Sequence, residues 1–334
     1  MMARARMLIR DLLLWLHWYP LRWLAQRLPP SWLHALGRWL GAVVALLARG
    51  KAAEFVAVMD AAPALAALPR RRRWVRRAFQ NRLCNELEVL VYPRLEPARM
   101  AGFVRCDDWS ELDAALARGQ GAMLLLAHFG ANQMAMPALG HAGYRMCQVG
   151  GSPLVWRERI SHRRFSPLEA RTLELRWRHE RALPVRHIDV FGSLRPAFAC
   201  LRANQVLGIA IDGAAGSDWA EVDFLGARAR FSTGALRIAA RTGCAVLPTF
   251  LVREASGVCR LEIGAPLERI ADPTDPVALG AVTQDYARLL ERRVIAHPCH
   301  YLPFLALRRM TALKEGEPPL LLETPSAPPG GLPA

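Results

Sequence analysis

The sequence predicts an α/β fold: a single domain with a mixed central sheet flanked by helices, preceded by amphipathic helices of the membrane-interface type. Three observations carry this expectation. From about residue 100 onward, short apolar runs alternate with stretches of helical period, the pattern of a sheet covered by helices on both faces. No linker rich in Gly, Ser or Pro interrupts that region, so it reads as one unit. Residues 7–48 differ in texture, being dense in Leu and Trp and broken by arginines. With 334 residues, 52% of them hydrophobic, the chain can bury a large core. The expected boundaries are 1–50 for the interface helices, 51–100 for an Arg-rich helical segment, 101–312 for the α/β domain and 313–334 for a disordered tail.

Five of the ten tryptophans, Trp15, Trp18, Trp23, Trp32 and Trp39, fall before residue 40. Arg10, Asp11, Arg22, Arg27 and Arg38 break the apolar runs, and Pro20 sits inside the first. Neither run reaches the roughly 20 apolar residues of a clean membrane span, and no small-residue cleavage site follows. Trp and Arg flanking short apolar stretches suit helices lying in the interface; helices capping a soluble core are the alternative. Arg70 to Arg73, Arg76 and Arg77 then open a helix running to about Tyr92, with Val75, Phe79, Leu83, Leu87, Leu90 and Val91 as its inward stripe. Cations at a helix start oppose the dipole. The cluster therefore suits anionic lipid head groups, with a solvated basic face as the alternative.

Beyond residue 100 the elements follow in order. A helix from Trp109 to Arg118 leads to a buried strand, Ala122 to Ala127, and a helix from Ala131 to His141. Further strands are expected at Tyr144 to Val149, Pro184 to Ile188, Val206 to Ile211, Cys244 to Val252 and Cys259 to Ile263. Further helices fit Leu154 to Arg178, Leu194 to Arg202, Gly234 to Thr242 and Pro276 to Ile295. The Pro-rich last 20 residues have the composition of a disordered segment.

The net charge of +15, carried mainly by arginine, implies an anionic partner: nucleic acid, an anionic membrane or a phosphorylated substrate. No nucleic-acid-binding motif accompanies the charge, and the Trp-rich front argues for lipid. The seven cysteines are scattered and never form a CxxC pair, which fits a reducing compartment without a disulfide framework. His297-Pro298-Cys299-His300 is the only metal-like spacing, and it lacks a second ligand pair, so no metal site is expected.

In open α/β sheets, reactive residues gather where strands end and helices begin. GAMLLLAHFGANQ places His128 at the carboxyl end of a buried strand, with Phe129 and Gly130 turning the chain into a helix. No G-x-S-x-G elbow, no Cys nucleophile with a nearby His and no Gly-rich phosphate loop competes with it. From Phe224 to Thr233 the chain carries Arg228, Arg230, Ser232 and Thr233 around Gly226. Arginines beside hydroxyls suit a phosphate or sugar-phosphate; an exposed basic hairpin is the alternative. Ser232 and Thr233 also stand where they can cap the helix at Gly234.

Four blocks in order make the sequence resemble the bacterial lipid A biosynthesis acyltransferases, the late lauroyl and myristoyl enzymes of the wider lysophospholipid acyltransferase group. RGQGAMLLLAHFG is similar to the stretch leading through the family's His, whose signature continues through four further residues to an Asp or Glu. GIAIDG, with Asp212, resembles a strand ending in Asp-Gln. VDFLGARARFSTGALRIAARTGCAVLP resembles the block in which FFG leads to Thr, a helix and a strand ending Val-Pro. HPCHYLPFLALRR resembles the terminal Pro-x-x-W…RR segment. The resemblance spans about residues 8–310.

It implies transfer of a fatty acyl group from a thioester, on acyl-carrier protein or acyl-CoA, to a hydroxyl of a membrane glycolipid. The expected setting is an anionic membrane surface, the cytoplasmic face of the bacterial inner membrane, without metal or redox cofactor. A glycerolipid acyltransferase of the lysophosphatidate type is the nearest rival. His128 is then the base that deprotonates the acceptor, and backbone amides after it are candidate oxyanion donors. Three positions depart from the family. Gln133 replaces the carboxylate, Gly213 follows Asp212 where Gln is usual, and the terminal tryptophan is missing. Gln133, expected within reach of His128, can orient an imidazole but cannot supply charge. Either another carboxylate serves His128, with Asp212 or Asp218 the nearest by block, or catalysis is weaker, or the protein binds lipid without catalysis.

Overall fold

A computed structural model describes residues 2–160 and 164–322. Its strands are β1 (Val104–Cys106), β2 (Ala122–Leu126), β3 (Met146–Gly150), β4 (Arg186–Asp189), β5 (Val206–Ala210), β6 (Trp219–Phe224), β7 (Ala227–Ser232), β8 (Ala245–Arg253) and β9 (Cys259–Ile263). Seven form one sheet in the order β1-β9-β8-β2-β5-β3-β4, while β6 and β7 make a separate hairpin. Neighbours are parallel except β8 and β9, so the sheet is mixed, as expected. Central β2 is buried at every position, which is why it reads as a continuous apolar run rather than an alternation. Helices cover both faces. Ile209, Ile211, Leu236 and Tyr286 belong to the core on one face, and Leu124, Leu126, Leu139 and Leu247 to the core on the other.

The expected helix Leu154 to Arg178 does not run through. It divides into a π-helical turn, Trp156–Ile160, and a helix, Pro167–Glu180; residues 161–163 lie outside the described residues. The break is local chemistry. Ser166 accepts from the Glu169 amide at 3.1 Å and Pro167 takes the first helical position, a start signal written in the sequence. The short edge strand β1 and the hairpin strands β6 and β7 are not among the expected strands, and the alternative of a basic hairpin from Phe224 to Thr233 covers only β7 and the turn. Leu225 and Gly226 both have positive φ, the turn that matches hairpin twist.

The N-terminus forms helices at Met2–Leu16 and Pro30–Leu47, joined through a π-helical turn that contains Pro20. Their fit to the domain is specific: Arg10 meets Glu169 at 2.9 Å, and Ser166 donates to Asp11 at 2.8 Å. Pro30–Leu47 crosses the helix Arg71–Val91 at close range, because Gly37 and Gly41 lie there; a Cβ on Gly41 would stand 2.4 Å from the Gln80 Cα. One side of these segments is thus fixed, with Trp18 and Leu33 buried. The other leaves apolar groups outside: Trp32 is 68% exposed, Trp39 63% and Leu47 78%. Among the described residues no helix is long and apolar enough to cross a membrane.

Of the expected tail, residues 313–322 are described: helix Leu302–Glu315 runs into it, and beyond the helix Arg230 N–H donates to the Leu320 carbonyl and Leu322 N–H to that of Arg228. Leu320 is buried, which supplies the apolar reason for docking. The remainder, 323–334, lies outside the described residues.

Candidate active site

β2 and β5 are parallel neighbours in which Leu126 pairs with Ala210. Two residues beyond each, at the carboxyl edge of the sheet, stand His128 and Asp212. The register therefore places them side by side although 84 positions separate them. His128 Nδ1 and Asp212 Oδ1 are 2.7 Å apart, and the His128 backbone N–H donates to Oδ2 at 2.8 Å. Asp212 is fully buried, whereas the His128 side chain is 43% exposed. With Nδ1 carrying the proton toward the carboxylate, Nε2 is left with its lone pair free to accept a hydrogen bond.

Tyr301 completes the carboxylate's shell, donating its O–H to Asp212 Oδ2 at 3.0 Å. Burial, with Asp212 beside it, pushes this phenol well above its ordinary range, so it stays protonated and a donor. Phe304 stacks on the imidazole, centroids 4.3 Å apart and planes 5° from parallel. Sequence reasoning missed both residues. Tyr301 stands three positions after Pro298, where the terminal segment was expected to hold a tryptophan, and that substitution was the available signal.

Gln133 is not the partner of His128. Its Oε1 instead accepts from Arg176 at 3.4 Å, and Arg176 also binds Glu86 at 2.9 Å and Glu180 at 3.2 Å. The reason is geometric: after Gly130 the chain enters a short 3-10 turn, Asn132–Met134, and not the α-helix expected from Ala131. Of the backbone amides after His128, that of Gly130 is already engaged. Gly130 N–H donates to the His300 carbonyl at 3.0 Å, so it is no oxyanion donor. Asp218 lies 3.5 Å from Arg237.

A cavity of about 410 Å³ opens at His128. It draws on both cores: Ile211, Ile238 and Leu307 from one face, Leu126, Met136 and Ala210 from the other. It therefore straddles the sheet edge, in the size range of small-ligand sites. Gln133, Asp218 and Ser232 line it as well. Thr233 is buried at the start of helix Gly234–Thr242, and the Gly234 amide donates to Ser232 at 3.4 Å. Arg228 and Arg230 are not among the cavity's lining residues. They are exposed on β7, bonded across the hairpin to Asp223 and Glu221, each at 2.9 Å. His300 Nε2 accepts from the Arg253 amide at 2.9 Å. Among the described residues no group of three or more His, Cys, Asp or Glu could hold a metal.

Phosphatidylinositol mannoside acyltransferases from two strains of Mycobacterium tuberculosis are each 30% identical to the chain over 194 residues, 57% of this chain and 55% of theirs. The chain thus spans about half the length of these relatives. The family described as bacterial lipid A biosynthesis acyltransferase matches residues 3–309. With that match covering nearly its whole length, the chain belongs to the bacterial lipid A biosynthesis acyltransferase family.

Proposed function

We propose that this protein transfers a fatty acyl group from a thioester to a hydroxyl of a membrane glycolipid, in the manner of late lipid A acylation. The observation that carries the proposal is the His128–Asp212 pair at the mouth of a largely apolar cavity. Asp212 holds the imidazole in one tautomer, and Nε2 takes the proton of the acceptor hydroxyl. The resulting oxygen attacks the thioester carbonyl. The tetrahedral intermediate collapses, expelling a thiolate, which the imidazolium protonates. Gln133 is then no loss, since Asp212 provides the charge that position 133 lacks. This favours catalysis over lipid binding alone.

The donor is an acyl chain on acyl-carrier protein or coenzyme A, its tail lying along Ile211, Ile238 and Leu307. The acceptor's head group meets the polar lining, Ser232 included. Arg228 and Arg230 would join an anionic head group by releasing Asp223 and Glu221. The relatives' name, which specifies a mannoside, favours a glycolipid acceptor over a glycerol phosphate. The exposed Trp32, Trp39 and Leu47 and the arginines from Arg70 suit docking on an anionic surface, which we assign to the cytoplasmic face of the bacterial inner membrane. The test is acyl transfer by protein purified on anionic vesicles, with acyl-carrier protein or acyl-CoA as donor and products read by mass spectrometry. Transfer to a glycolipid hydroxyl supports the proposal; transfer only to glycerol phosphate lipids redirects it.

A further inference from the structure

The turn that carries His128 is clamped from behind at a single residue, Gly130. Gly130 donates its N–H to the His300 carbonyl at 3.0 Å and accepts at its own carbonyl from Asn85 Nδ2 at 2.9 Å. Its φ of +66° and the position of a would-be Cβ, 1.9 Å from the Leu251 carbonyl oxygen, leave room for glycine alone. Asn85 is itself fixed, because its Oδ1 accepts from an Arg253 Nη at 2.6 Å. That guanidinium grips Glu88 with both ends, at 2.6 and 2.8 Å, and also donates to the Gly257 carbonyl at 2.8 Å. Glu88 reaches His34 Nε2 at 3.2 Å, on the helix whose other side carries the exposed Trp32 and Trp39. The Arg253 backbone amide closes the circuit by donating to His300 Nε2.

Arg253, Glu88 and His34 are nearly inaccessible to water. A buried ion pair is weak evidence of stabilisation, since desolvation offsets most of its attraction. What this pair does locally is hold one amide side chain in one orientation, with its donor aimed at the reactive turn. From this we infer that Asn85 is a positioning residue: its hydrogen bond to Gly130, backed by the Arg253–Glu88 pair, sets the His128 imidazole at the angle that acyl transfer needs. This rests on the acyl-transfer proposal above. Asn85 does not touch the reacting atoms; it acts through the peptide two residues after the base.

Asn85→Asp separates the two halves of its role. The carboxylate retains an acceptor for Arg253 and loses the donor to Gly130, setting one oxygen against another. The expected result is a fall in kcat of about tenfold or more, with KM nearly unchanged, the variant still folded at the assay temperature and a displaced His128 Hε1 resonance in the NMR spectrum. Asn85→Ala, should the aspartate variant not fold, is read the same way for kcat and resonance. Wild-type kcat and an unmoved resonance in the folded variant would overturn the inference, as would a loss of rate that only tracks a loss of folded protein. His128→Ala in the same assay keeps the two proposals apart. If that variant retains full rate, acyl transfer by this base fails, and the resonance still reports whether Asn85 sets the imidazole.

Discussion

The carboxylate of Asp212 holds His128 twice, through the imidazole at 2.7 Å and through the backbone amide at 2.8 Å. The second bond matters as much as the first. The side-chain contact fixes the χ angles of the imidazole, and the amide bond fixes the backbone that carries it. Tyr301 adds a third donor to the same carboxylate, so a fully buried anion has three partners and does not lack compensation.

Tyr301→Phe removes one of those donors and preserves the shape. A hydrogen bond to a charged group contributes about 1.5–3 kcal/mol. We expect kcat to fall about tenfold or more while KM stays close to wild type. Steady-state kinetics at saturating donor decide this; an unchanged kcat would mean that the two His128 contacts suffice.

Gln133→Glu restores the residue type found in the family's signature. In this fold the new carboxylate meets Arg176 and not His128, and Glu86 and Glu180 already occupy that guanidinium. We expect no more than about a twofold change in rate, because a like charge among those acids brings no gain at the base. A large increase would mean that position 133 reaches His128 during turnover.

Burial, followed by the charges of His297 and Arg253, lowers the His300 pKa to about 3. The folded group stays neutral while the unfolded one takes up a proton below about pH 6.5. Its contribution to stability is therefore complete above that pH and is lost as the pH falls from there toward 3, at up to about 1.4 kcal/mol per unit. His300→Gln keeps an acceptor for the Arg253 amide and does not titrate. Between pH 7 and pH 5 the variant should lose about 2 kcal/mol less than wild type in urea unfolding. Parallel losses would place His300 in a wetter setting.

Trp32→Ala with Trp39→Ala tests the membrane face. Each side chain is exposed and outside the core, so folding should be unaffected. Burying a large apolar side chain in lipid is worth on the order of 2 kcal/mol. Binding to anionic vesicles should weaken by at least about tenfold, read by co-sedimentation. Equal binding would assign docking to the arginines from Arg70 alone.

Much of the sheet was legible because parallel strands are buried on both faces: Ala122–Leu126 and Ala245–Arg253 stand out as apolar runs in the sequence. His128 was legible for the same reason, as the polar residue that ends such a run. Its partner was not settled, because partnership depends on which strands are neighbours. Spacing along the chain favoured Gln133, five positions on, but the β2–β5 register favours Asp212. Strand order is long-range information that no local pattern encodes. Asn85 was hidden in the same way, on a helix whose visible signals were its apolar stripe and the arginines at its start. The break before Pro167 was legible and missed, since Ser166 and Glu169 spell a capping box.

The most direct test of the account is acyl-transfer kinetics on vesicles for wild type, His128→Ala and Asp212→Asn, with folding checked by circular dichroism. If Asp212 fixes the tautomer and charges the base, Asp212→Asn should lower kcat by about 10³–10⁴-fold, and His128→Ala by at least as much. Both variants should remain folded. Near wild-type turnover in folded Asp212→Asn would contradict the pairing on which the mechanism stands, and near wild-type turnover in His128→Ala would contradict the mechanism itself.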